Sequence, residues 1–200
     1  MRSLRFTLPF ILVAATTLSA QQVICQLGGG PSSYNPYWNA PPTPYASSEL
    51  GTIYRLLCPN GCGRADLVQN ATVSNAMATV VSPGVTLISY NPYFMNNVFT
   101  MTGAEASFGI LAHEFGHHID LNTTPSWMNN SWSAELKADA WCGCALARRG
   151  FNPAQISVAL QAIAAFPSPS HPAWNLRIPA VQQGFLSCGG RLQQLPWGPR

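Results

Sequence analysis

The stretch from Thr102 to Asp120 constrains the fold more than any other part of the chain. Thr102-Gly-Ala-Glu105 has the pattern of a capping box, a hydroxyl followed three residues later by a glutamate, and it predicts a helix from 103 to about 120. On that helix Phe108, Leu111, Ala112, Phe115 and Ile119 form one apolar stripe at about 100° per residue. His113 and His117 project from the opposite side. Such a helix needs partners to cover its stripe, so it belongs inside a multi-element domain.

The chain has 200 residues, enough for one domain with a substantial core. Apolar residues make up 47%, which argues against a disordered chain. Only 8% of the residues are charged, against roughly 25% in an average domain. The scarce charges are concentrated: Glu105, Glu114, Asp120, Glu135 and Asp139 are five of the seven carboxylates, and His113, His117 and His118 are three of the four histidines. A site is therefore expected between 105 and 139. The net charge is +3, Lys137 is the single lysine, and only Arg148–Arg149 are adjacent basic residues. No clustered basic face exists, so nucleic acid is not an expected partner.

Arg2 and Arg5 precede an apolar run from Phe6 to Leu18 that ends at Ser19–Ala20. This is the order of a secretory signal peptide, read here as residues 1–20, too short to span a bilayer comfortably. The expected location is secreted or periplasmic, with no stable membrane insertion after signal removal. The even count of six cysteines (Cys25, Cys58, Cys62, Cys142, Cys144 and Cys188) then reads as disulfides. Cys142 and Cys144, two apart on a helix, should bond in different directions, one of them to the Cys58–Cys62 loop. The rival reading is a structural zinc knot built from those four cysteines.

Residues 21–47, rich in Pro, Gly and Tyr, read as an extended segment, and residues 48–200 as the folded domain. Leu50, Ile53, Tyr54 and Leu57 have helical spacing. Strands are expected at 65–69, 76–81 and 85–90, the last two joined by a Ser82-Pro83-Gly84 turn. After a loop at Pro125, Ser131 or Ser133 caps a helix running to Arg149 with Gly150 as its stop. Asn152-Pro153 opens a further helix. A last short helix runs to Gly184.

His113-Glu-Phe-Gly-His117 is the pattern HExxH on a helix. Histidines at i and i+4 share a face, so both can give a nitrogen to one Zn²⁺, with Glu114 beside them to reach a water. A third protein ligand is needed. Glu135 lies 18 residues after His117, and Asp139 is one helical turn further on the same face. Asp139 suits the role of accepting a hydrogen bond from the far ring nitrogen of a ligand histidine.

This combination resembles the gluzincin metallopeptidases, and within them the group of the bacterial heat-shock protease HtpX and the CAAX prenyl proteases. A bacterial family of neutral zinc metallopeptidases carries a similar pattern. The resemblance rests on Asn75-Ala-Met-Ala78, on His113-Glu-Phe-Gly-His-His118 with Glu135-Leu-Lys-Ala-Asp139, and on His171-Pro172 with Arg177 and then Gly184-Phe185. It covers about residues 65–186. Pro179 departs from it, falling where a helix should continue.

The resemblance implies a single α+β domain of zincin type, a small β-sheet packed against the HExxH helix and the ExxxD helix. It implies a zinc metalloendopeptidase acting on peptide or protein substrates. His113, His117 and Glu135 are then the ligands of one catalytic zinc, Glu114 the general base, and His171 or Arg177 the oxyanion donor. The strand 85–90 would offer an edge for an extended peptide. For His171 a helix-start residue or a fourth ligand is equally open; for Arg177, an ion pair. The alternative function is a catalytically silent zinc-binding adaptor on the same fold. Oligomeric state and substrate preference are not fixed by the sequence.

Overall fold

A computed structural model describes residues 22–27, 34–121, 123–151 and 174–191. Four strands form one sheet in the order β1-β3-β4-β2: β1 Gln22–Leu27, β2 Arg64–Gln69, β3 Ala76–Ser82 and β4 Val85–Tyr90. The β3–β4 hairpin is antiparallel and turns at Gly84, whose φ of 72° suits glycine. β2 joins β4 in parallel, and β1 joins the other side of β3 antiparallel, with a bulge between Val23 and Cys25. β4 therefore has a partner on each side and no free edge. This corrects the expectation that 85–90 pairs with a peptide.

Five α-helices are described: α1 Pro44–Leu57, α2 Pro92–Thr102, α3 Ala104–Asp120, α4 Ala134–Arg149 and α5 Trp174–Ser187. Together with the mixed sheet they make an α+β arrangement compatible with one small domain. None of the described helices is long and apolar enough to cross a membrane.

Thr43 accepts a hydrogen bond from Ala46 N–H, and Pro44 sits in the first turn, so α1 begins ahead of its apolar spacing. The segment before it is tied down. Ala40 and Gln69 exchange backbone hydrogen bonds, and Tyr90 Oη accepts from Thr43 N–H at 3.0 Å. Residues 40–43 are thus tied to β2 and β4, and β1 to β3.

The capping box at Thr102 does not form. Asn91 caps α2 by accepting from Tyr93 and Phe94 N–H, and α2 runs on through Thr102, whose hydroxyl donates to Val98 O. Gly103, at φ 91°, makes the junction into α3. α4 has the expected ends, Ser133 at its start and left-handed Gly150 at its stop. The signal segment 1–20 and the helix expected from Asn152 lie outside the described residues. α5 continues through Pro179, with Gly184 in its last turn.

Side chains on α3 are buried without interruption from Ala106 to Ile119. The histidine face is therefore covered as fully as the apolar stripe, which marks a core helix rather than a surface one. Two glycines allow its partners to come close. A Cβ on Gly116 would lie 2.9 Å from the Ala138 backbone of α4, and one on Gly184 would strike the Ala140 carbonyl. Missing side chains at these crossings let α4 sit between α3 and α5 at near backbone contact.

Among the described residues the disulfides are Cys58–Cys62 and Cys144–Cys188. This corrects the expected link from α4 to the Cys58–Cys62 loop. Cys58 closes on Cys62 across the turn after α1, and Cys144 faces the end of α5. Cys142, on the α3 side of α4, is a buried free thiol that donates to Gly109 O at 3.3 Å. The α4 cysteines therefore do point in different directions, but only one of them is bonded, and the four-cysteine zinc knot does not form.

Candidate metal centre

α3 presents His113 and His117 one turn apart, and the first turn of α4 presents Glu135 to both. His113 Nε2 and His117 Nε2 are 3.2 Å apart. Glu135 places Oε2 3.4 Å from His113 Nε2 and Oε1 3.7 Å from His117 Nε2. For a tetrahedral ion with bonds of about 2.1 Å, neighbouring ligand atoms are separated by about 3.4 Å. The three side chains, all buried, therefore fit a single small metal ion.

The competing partners of Glu135 are engaged elsewhere. Lys137 pairs with Asp120 at 3.4 Å, and Arg148 donates to Leu56 O at 2.6 Å. Asp139 lies behind the site. Its Oδ1 accepts from His113 Nδ1 at 2.9 Å, which leaves Nε2 of that ring to face inward. Arg177 of α5 forks onto the same carboxylate, Nε to Oδ2 and Nη2 to Oδ1, both at 2.8 Å. Asp139 and Arg177 are almost wholly buried. The structure sets Asp139 against His113, as the ExxxD spacing led one to expect; that Arg177 grips it was not read from the sequence, which left an ion pair as one of two roles. His171 lies outside the described residues.

The electrostatics favour a cation. Burial alone would lower the His113 pKa, but its hydrogen bonds to Asp139 and Glu135 and their negative charge override this and push it up to about 9. Burial would raise Asp139, and Arg177 and His113 more than offset it and hold the group below the usual carboxylate range. Glu114 is fully buried, and no side chain among the described residues donates a hydrogen bond to its oxygens. Burial pushes its pKa up to about 8, opposed by His113, assisted by the charge of Glu135, and opposed further by Arg177 and a hydrogen bond from the Ala78 backbone. A fully buried carboxyl is costly for a fold, and such groups cluster where chemistry is done. His118 has a structural place. Its Nδ1 lies 2.9 Å from Thr86 Oγ1, its ring packs on Phe115, and burial lowers its pKa.

These shifts set the pH dependence of metal binding. Without metal, His113 is protonated up to about pH 9 and Glu114 up to about pH 8. A bound cation expels the His113 proton. Affinity therefore rises with pH, by up to about tenfold per unit, until about pH 9. Chelator competition at pH 6, 7 and 8 measures the slope; a flat profile contradicts the assignment.

No family model matches this chain, and neither does a curated protein or a solved structure.

Proposed function

We propose that the protein is a zinc-dependent metalloendopeptidase of zincin-like fold, exported to an oxidising compartment. The observation that carries the reading is the fully buried Glu114 carboxyl set beside the His113–His117–Glu135 group. Zinc suits two imidazoles and one carboxylate, and such a triad leaves a position open for water or substrate. When bound, zinc polarises a carbonyl oxygen and brings the pKa of a water close to 7.

The chain's own groups supply the rest. Glu114 takes the proton from the attacking water on a carboxylate oxygen and later hands it to the departing amine nitrogen. Its raised proton affinity suits it to hold that proton between the two transfers. Asp139 holds the proton on His113 Nδ1 and so fixes the ring. Arg177, with Nε, Nη2 and both Asp139 oxygens engaged, acts through Asp139, which favours an orienting role over that of oxyanion donor. Burial keeps bulk solvent from competing. Two disulfides, joining the two ends of one loop and α4 to α5, are compatible with export.

The test is Glu114→Gln. Cleavage of casein falls by about 10²- to 10⁴-fold, the range for a lost general base, while zinc content stays at the wild-type value. Cleavage at the wild-type rate sinks the mechanism. A zinc-loaded wild-type protein that cleaves nothing favours the silent adaptor instead.

A further inference from the structure

The turn of α3 beneath the sheet shows which strand edge adjoins the metal-binding face. His118 touches Thr86 of β4, Glu114 meets the Ala78 backbone of β3, and α3 also packs against β1 itself. The first two contacts are four residues apart on α3, about 6 Å. In the hairpin register Thr86 lies opposite Val80, two residues beyond Ala78, about 7 Å along the strand. The helix therefore runs alongside the strands. Going round it from His118, Glu114 lies about 40° on, His117 about 100° and His113 about 140°, all in one sense. That sense leads from β4 to β3 and onward past β3. The next position in the sheet is β1. Its backbone is antiparallel to β3, with Gln26 opposite Met77 and Leu27 opposite Ala76.

We propose that the β1-facing edge of β3, Ala76–Val80, is the peptide-binding edge of the site, and that β1 occupies it as an internal ligand. An extended peptide running antiparallel to β3 takes the place of β1, forms the same main-chain hydrogen bonds and passes beside the histidine face. The substrate class is thus a peptide able to supply about five residues in extended form, recognised first through its backbone. The inference rests on the peptidase reading for turnover, but not for binding. While β1 is seated, the apparent affinity for a second strand is reduced by the fraction of chains in which β1 is off.

Two measurements on the full chain decide it. Gln26→Pro with Leu27→Pro alters adjacent ladder positions, so at least one β1 N–H facing β3 is lost. The probe is a fluorescent synthetic peptide of residues 21–27 carrying Cys25→Ser. The double variant, checked for wild-type zinc content and unfolding midpoint, binds the probe at least about tenfold tighter than wild type. Hydrogen exchange on the wild-type chain at saturating probe needs no variant: amides of β1 lose protection while those of Ala76–Val80 keep theirs. Equal probe affinity in the two chains, or β1 amides unmoved by bound probe, overturns the proposal. Casein cleavage is scored separately. Gained probe binding with no cleavage by either zinc-loaded chain keeps this inference and removes the peptidase reading. Equal, Glu114-dependent cleavage with equal probe affinity does the reverse.

Discussion

Glu135→Ala lowers zinc affinity by more than about 100-fold, beyond the 10- to 100-fold that loss of an orienting partner causes. The size follows from what the carboxylate does. It supplies the anionic contact on the Nε2 side of the pair His113–His117, with an oxygen set toward each ring. It also comes from a different helix, so without it the metal no longer joins α3 to α4. Glu135→Gln keeps the shape and loses the charge, and falls between wild type and Glu135→Ala. Competition against a zinc chelator at fixed pH reads all three. Affinity within threefold of wild type for Glu135→Ala, about 0.7 kcal/mol, contradicts the ligand set.

The second large effect concerns stability. Arg177→Met leaves the Asp139 carboxylate buried, with His113 as the only remaining partner among the contacts described here. Removing one member of a buried ion pair costs about 3–5 kcal/mol, because the other charge stays in a dry place. Asp139 is held below its ordinary pKa, so its contribution is present above about pH 4 and lost as the pH falls further. The gap between Arg177→Met and wild type in denaturant unfolding therefore narrows under acid. Arg177→Lys restores the charge but not the fork, and recovers only part of the loss. Replacing both residues, Asp139→Asn with Arg177→Met, is less damaging than Arg177→Met alone. A cost below 1 kcal/mol for Arg177→Met shows that the fork does not hold α5 to α4.

The sequence was most legible where chemistry and local geometry coincide. HExxH at helical spacing with ExxxD one helix later singled out five side chains that the structure brings together, because i and i+4 must share a face whatever surrounds the helix. Ser133 and Gly150 marked α4 for the same local reason. Legibility failed where a neighbour decides. Thr102 has the right residue type for a cap, but Asn91-Pro92 starts a helix that consumes it. Gln22–Leu27 carries no alternation of its own, and is a strand because β3 has an edge to offer. The 85–90 strand looked like an edge until β2 paired with it in parallel, a long-range event no local pattern announces. Cysteine pairing depended on where α5 returns, so Cys144 met Cys188 and Cys142 was left a thiol. Gly116, inside HEFGH, carried a usable signal: a small residue beside two ligands marks where another backbone must come close.

The central claim is that one metal ion sits between α3 and α4, held by His113, His117 and Glu135. Zinc X-ray absorption on the purified, metal-loaded chain tests it most directly. The account predicts a first shell of two imidazole nitrogens with oxygen ligands at about 2.0–2.2 Å, one oxygen lost in Glu135→Ala. A sulfur contribution near 2.3 Å, or a wild-type spectrum that Glu135→Ala leaves unchanged, contradicts it.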